Sequence, residues 1–300
     1  MNLAGSGEVN VDAADVTKDD KVDTTDLADL KLTLAGVNGK TDELKVLGIG
    51  NSFTVDGTQY LWNVAAAAGE EEFLLAKATI GGCDLDRHWS NIESDKASYS
   101  FSVNRDGDWE DSANSSAARL SDVLTMEEWD VIVIQQVSQK SGLPDTYGNL
   151  QNIIDFIKEK CPNAKIMWQM TWAYQSDSTH AGFAGYNNDQ MTMYNAIIDT
   201  ANELIVSNPD IDGIIPSGTA IQNLRTVIGD NLTRDGHHMS YDYGRYTVAL
   251  TWYKAITGKS IDGVFWTPAS YSYIGKNLEA VKSSVNDAID KPFEVTNQAN

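Results

Sequence analysis

Cysteine, histidine and proline are scarce: the 300 residues include two cysteines, four histidines and six prolines. With only Cys83 and Cys161, a small scaffold stapled by several disulfides is excluded, and one pair fixes neither a redox compartment nor its own pairing. Long apolar runs are also missing. The most apolar stretches, such as residues 131–134, fall far short of the about 18 residues that a membrane helix requires. Basic residues are outnumbered, with 22 Lys and Arg against 43 Asp and Glu and a formal charge of −21. Such a field repels phosphate backbones and anionic lipid, which argues against nucleic acid or a membrane surface as a partner. What is present suffices for a full core. The chain is 42% hydrophobic and 22% charged, and its length accommodates one large domain, alone or with an appendage.

Residues 1–36 differ from the rest, being rich in carboxylates and almost free of aromatic rings. They end at Gly36-Val37-Asn38-Gly39, which marks residues 37–43 as a linker and 44–300 as the main domain. Within the leader, Asp15, Thr17, Asp19, Asp23 and Asp26 place oxygen side chains at positions one, three, five, nine and twelve of a loop. Lys21 offers its backbone carbonyl at position seven. Calcium takes six to eight oxygen ligands and is served by this spacing, and Leu27, Leu30, Leu32 and Leu34 would form the helix that follows. The alternative is a solvated acidic leader with chance spacing. The segment resembles one calcium-loop repeat of a dockerin, the module that attaches bacterial polysaccharide-degrading enzymes to cohesin scaffolds. Leu3-Ala4-Gly5 echoes Leu34-Ala35-Gly36, as the tail of a preceding repeat would. Asp20 departs from the usual turn glycine, and Asp26 stands where an ordinary EF-hand has glutamate. Met1-Asn2-Leu3 opens without the charged start and apolar core of a signal peptide. That leaves either a cytoplasmic protein or one whose signal has been removed, and the leader favours the second, a secreted protein that a scaffold could hold.

From residue 44 the pattern alternates. Buried strands are expected over 45–49, 73–79, 129–134, 164–169 and 211–215, with helices over 59–68, 150–160, 189–206 and 243–257. Strands alternating with helices indicate an α/β fold with a mostly parallel sheet covered on both faces, and catalytic groups of such sheets collect at the carboxyl ends of the strands.

Ser52, in Gly50-Asn51-Ser52-Phe53, stands at the end of the first strand. Asp235-Gly236-His237-His238 sets an aspartate and a histidine three residues apart in a later loop. Serine, histidine and aspartate are the nucleophile, base and orienting acid of acyl transfer. His238 is favoured as the base over its neighbour His237, because adjacent side chains point apart. A metal site on Asp235, His237 and His238 is a weaker reading, since tandem histidines rarely converge on one ion.

These two blocks resemble the SGNH/GDSL hydrolase superfamily, with Asn51 in place of the usual aspartate, over roughly residues 44–258. An ordinary α/β-hydrolase elbow fits less well, since Thr54 stands where its second glycine belongs. The resemblance implies a flavodoxin-like three-layer α/β/α sandwich and a Ser52–His238–Asp235 triad that needs no cofactor. It also implies an oxyanion hole made of the Ser52 N–H, a glycine N–H and a side-chain amide. The glycine maps onto Gly81-Gly82, with Gly82 preferred. The amide maps onto Gln135, because no Gly-x-Asn-Asp follows the strand over 131–134. Trp89, Trp172 and Tyr174 fall in expected loops beyond strand ends, where aromatic faces stack on sugar rings. With the dockerin-like leader, the resemblance implies an esterase that removes O-acetyl groups from plant-type polysaccharide or oligosaccharide. A lipase or thioesterase of the same fold, and a non-catalytic calcium-dependent sugar-binding module, are the alternatives.

Overall fold

The computed structural model describes residues 43–70, 72–111 and 117–297. The residues expected to bind calcium, Asp15, Thr17, Asp19, Lys21, Asp23 and Asp26, lie outside the described residues. Strand β1 (Leu44–Gly50) leads directly into α1 (Ser52–Thr58), then α2 (Leu61–Ala67), β2 (Phe73–Thr79) and α3 (Leu85–Glu93). A hairpin of β3 (Ser100–Asn104) and β4 (Trp109–Asp111) follows, then α4 (Leu120–Thr125), β5 (Val131–Ile134), α5 (Leu150–Lys160), β6 (Lys165–Gln169) and α6 (Gln190–Thr200). The chain ends with β7 (Gly213–Ile215), α7 (Ser217–Ile228), α8 (Tyr243–Thr257) and α9 (Leu278–Asp290).

The sheet runs in the order β4-β3-β2-β1-β5-β6-β7. β1 pairs parallel with β2 and β5, and β5, β6 and β7 continue in parallel, whereas β3 and β4 are antiparallel. The mostly parallel α/β expectation is met, with the antiparallel edge added. β5 is Val-Ile-Val-Ile and wholly buried, as strands covered on both faces are. Helices α1, α2, α7, α8 and α9 pack as one group and α3, α4 and α5 as another, giving the three layers of the fold. Strand order reverses at β1, so the crevice at the carboxyl ends of β1 and β5 is the switch point where such sheets bind ligands.

One helix expectation needs correction where it matters. The helix begins at Ser52, ahead of the expected residue 59, and the chain breaks around Tyr60 before α2. Ser-Phe-Thr-Val-Asp-Gly-Thr is poor helix-forming sequence, so propensity gives no warning of α1. A side-chain cap and burial hold it instead: Asn51 Oδ1 accepts from Phe53 N at 3.0 Å, and Phe53, Thr54, Asp56, Gly57 and Thr58 are all buried. Cys83 and Cys161 are both free and buried, bonded separately to Asp84 O and Leu124 O.

Candidate active site

The turn from β1 into α1 is too tight for a side chain at residue 50. A Cβ on Gly50 would collide with Thr54 Oγ1 and lie 3.0 Å from Gln135 Cγ. Glycine there lets the chain turn at once and puts Ser52 at the carboxyl edge of the sheet. The loop that faces it turns on Gly236, whose φ of +86° favours glycine and whose Cβ would lie 2.9 Å from Ser178 Oγ.

These turns bring the expected side chains together. His238 Nε2 lies 2.8 Å from Ser52 Oγ, and His238 Nδ1 lies 2.7 Å from Asp235 Oδ2. Asp235 Oδ1 also accepts from the His238 backbone N–H at 2.8 Å. Partial burial pushes the Asp235 carboxyl up, but the hydrogen bonds from the His238 ring and backbone, with the nearby imidazole charges, overcome it and bring its pKa down to about 2. Asp235 is therefore ionised and can only accept. Its partner Nδ1 carries the ring proton, and a neutral His238 presents a bare Nε2 to the serine hydroxyl. The rival His237 does not contact the serine in this arrangement. Its Nδ1 sits 3.2 Å from Asp235 Oδ1, its ring lies 4.0 Å from that of His238, and burial followed by the His238 charge lowers its pKa.

Asp235, His237 and His238 hold donor atoms within 4.8 Å of one another. Both ring nitrogens of His238 are already engaged, by Asp235 and Ser52, so an ion bound there would displace the serine or the aspartate.

The oxyanion candidates are linked by Asn51. Its Nδ2 donates to Cys83 O at 3.0 Å, on the loop that carries Gly81 and Gly82. Its Oδ1 accepts from both Phe53 N and Gln135 Nε2, the latter at 2.9 Å. Because both of these are donors, the orientation of the Gln135 amide is set, with its nitrogen toward Asn51 and a second N–H to spare. Gln135 Oε1 is buried and has no hydrogen-bond partner among the described residues. Gly82 is exposed at a φ of +60°. A Cβ added at either Gly81 or Gly82 would meet nothing within 4 Å, so packing does not separate the two.

All three aromatic expectations are corrected, Trp89 because the Asp84 cap starts a helix that carries it where a loop is expected. Trp172 and Tyr174 are fully buried, so neither ring has a free face for a sugar. Trp172 stacks on Phe53 at 4.1 Å and donates from Nε1 to His237 O at 2.7 Å, which supports the histidine loop from within. Tyr174 OH bonds Ser138 Oγ at 2.8 Å and its ring lies against His180 and His237. Trp89 is half-buried on α3 and packs against the core.

The sequence reading passes over Asp56. It is fully buried and accepts from Arg234 Nη1 at 2.9 Å, Arg245 Nε at 2.8 Å and the Met239 backbone N–H at 2.8 Å. Arg234 N also donates to His238 O at 2.9 Å. One carboxylate thus pins both sides of His238 to α1. The available signal is its place one helical turn after Ser52, on the same face of α1. A cavity of about 680 Å³ lies far from this chemistry, at the amino ends of the strands, lined by Lys45, Glu127 and Trp129. It holds the Lys45–Glu127 ion pair and the buried thiol of Cys161, which burial keeps protonated, and none of the triad residues line it.

The family profile described as "Domain of unknown function (DUF4886)" matches residues 45–287. The chain is similar to a DUF4886 family protein of Bacteroides uniformis, at 36% identity and a TM-score of 0.78, over 86% of this chain and 98% of that one. It is similar more distantly to a Slackia heliotrinireducens protein provisionally described as an SGNH hydrolase, at 18% identity and a TM-score of 0.46, over 72% of this chain and 100% of that one. The Clostridium thermocellum family 3 carbohydrate esterase stands at 14% identity and a TM-score of 0.44, over 72% of this chain and 96% of that one. These last two likenesses are too distant to transfer an activity. No curated protein matches the chain.

Proposed function

We propose that this chain, which belongs to the DUF4886 family, is a serine esterase that removes O-acetyl groups from plant-type polysaccharide or oligosaccharide. The observation that carries the reading is the hydrogen-bonded line from Ser52 Oγ through His238 to Asp235, at 2.8 and 2.7 Å. In this mechanism Ser52 Oγ attacks the acetyl carbonyl while His238 Nε2 takes the hydroxyl proton. Asp235 stays ionised and stabilises the imidazolium that forms. The negative charge on the carbonyl oxygen is met by the Ser52 and Gly82 N–H groups and by the second amide N–H of Gln135. His238 then returns its proton to the departing sugar hydroxyl, leaving an acetyl-serine. Water, deprotonated by the same imidazole, attacks this intermediate, releases acetate and restores the serine. No step requires a metal or an organic cofactor.

The preference for acetylated glycan rests on the resemblance of the two blocks and of the acidic leader, and the leader is also the basis for reading the enzyme as secreted. In the same reading, calcium on Asp15, Thr17, Asp19, Lys21, Asp23 and Asp26 would order that leader for a cohesin partner. The test is acetate release from acetylated xylan, mannan and pectin, beside hydrolysis of a small aryl acetate and of a long-chain acyl ester. Turnover of the acetates with little on the long chain supports the proposal. Preference for the long-chain ester would make the protein a lipase, and no turnover of any ester would remove the catalytic reading.

A further inference from the structure

The segment that carries His238 continues along α1 and ends in an exposed aromatic surface. His238 Nε2 meets Ser52 Oγ at 2.8 Å, Met239 N meets Asp56 Oδ2 at 2.8 Å, and Tyr60 OH donates to Tyr241 O at 2.6 Å. Tyr241 follows His238 by three residues, so the surface starts at most roughly 11 Å along the chain from the catalytic histidine. We propose that Tyr241 and Tyr273, with Asp242 between them, form a binding platform for a neutral chain of β-linked pyranoses. The proposal deepens the esterase reading and rests on it for the kind of substrate that reaches Ser52.

Tyr241 is 48% exposed, and the guanidiniums of Arg234 and Arg245 lie 5.0 and 4.6 Å from its ring centroid. Both arginines bond the same buried oxygen of Asp56, so they back the ring from one side, and about half of the residue remains open to solvent. The ring is therefore held in place before anything binds, which spares a ligand the cost of ordering it. Tyr273 is 44% exposed. Its hydroxyl donates to Asp242 Oδ2 at 2.5 Å, and Tyr271 and Tyr243 brace its ring at centroid distances of 6.2 and 5.9 Å. Asn277 Nδ2, bonded to Tyr243 OH at 2.8 Å, extends the polar edge.

Several features select a sugar over other occupants. A β-linked pyranose presents an apolar C–H face and an edge of hydroxyls, which fits open tyrosine faces edged by carboxylate and amide. The exposed large apolar residues of segments 238–243 and 269–277 are tyrosines, with none of the aliphatic surface that a lipid chain would need. A formal charge of −21, with Asp242 in the patch itself, disfavours a uronic-acid chain and opposes self-association through this face.

The test is calorimetry of the full chain with xylohexaose and mannohexaose, and with a polygalacturonate fragment as the charged control. At least one neutral hexaose should bind wild type and Ser52→Ala alike, and the acidic fragment should not bind. Tyr273→Ala and Tyr241→Leu should each weaken the neutral ligand at least fivefold, with circular dichroism unchanged. Tyr241 packs on the arginine network and its variant is the one at risk of misfolding, so Tyr273→Ala, at the surface, decides in that event. The platform is overturned if no neutral hexaose binds wild type, if Tyr273→Ala binds as wild type does, or if the acidic fragment binds instead. It is equally overturned if sedimentation shows a dimer that Tyr273→Ala dissolves. Hydrolysis of an aryl acetate separates this outcome from failure of the esterase reading. A protein that binds hexaose but hydrolyses nothing keeps the platform and loses the esterase, and one that hydrolyses the ester without binding hexaose does the reverse.

Discussion

Asp56→Asn removes one negative charge from a fully buried position and keeps the shape of the side chain. The carboxylate faces three donors, two of them guanidiniums whose side chains are only 24% and 10% exposed. An amide offers one acceptor oxygen and turns an NH2 toward the remaining donors, leaving two cations without their counter-charge. Breaking a buried ion pair in this way costs about 3–5 kcal/mol, and because Arg234 still reaches water we expect about 3 kcal/mol. In a domain of this size each kcal/mol lowers the melting temperature by roughly 2–4 °C, which gives a drop of roughly 6–12 °C. The same change loosens Met239 N and the strap of Arg234 N on His238 O, so the imidazole loses its register on Ser52. A misplacement of that kind is expected to lower kcat about 10²-fold with little change in KM. Scanning calorimetry and aryl-acetate kinetics at 25 °C, where the variant is still folded, measure the two effects separately. A variant that melts within about 1 °C of wild type and keeps its kcat would refute the claim that Asp56 positions the histidine loop.

Gln135→Ala should lower kcat about 10²-fold with KM nearly unchanged, since a bond to the oxyanion strengthens only in the transition state. A raised KM alone would move Gln135 to substrate binding. Steady-state assays of His237→Ala and His238→Ala should show most activity kept in the first and nearly all lost in the second, and the reverse result would exchange their roles. The hydrogen bonds from His238 outweigh burial and bring the Asp235 carboxyl down to about 2, below the ordinary aspartate range, so its contribution to stability is present above that range and fades as pH falls toward 2. Denaturant titrations of wild type and Asp235→Asn should therefore diverge at pH 5 and converge near pH 2, and a constant gap would contradict the assigned bonds. Calorimetry should detect calcium binding that Asp15→Ala combined with Asp26→Ala abolishes, while chelator leaves hydrolysis unchanged; activity that collapses on chelation would tie the leader to the catalytic cleft.

The parts of the fold that the sequence makes legible are those set by burial. β2 over Phe73–Thr79, α5 and α8 have the boundaries that apolar periodicity assigns, because both faces of a buried strand and one stripe of a covered helix must be apolar. The hairpin β3–β4 is not legible. Ser-Phe-Ser-Val-Asn and Trp-Glu-Asp form an edge with polar residues on it, and no tight two-residue turn marks the join. α1 is hidden for the converse reason, since its residues favour other structure and only the Asn51 cap and tertiary contacts make it helical. At the site, Ser52, Asp235 and His238 are readable because their chemistry is rare at such spacing. Asp56 is not, since a lone carboxylate reads as surface until its partners, Arg234 and Arg245, are brought over from far along the chain. Trp172 shows the limit of placing rings by loop position: it lies beyond a strand end, as expected, but turns inward to stack on Phe53.

The central claim is that Ser52 is a nucleophile activated by His238. Its most direct test is the mass of the protein after treatment with a fluorophosphonate, followed by peptide mapping. The account predicts a single adduct on the peptide that contains Ser52, formed quickly in wild type, slowly in His238→Ala and absent in Ser52→Ala. An unlabelled wild type, or an adduct carried by Ser138 or any other residue, would contradict it.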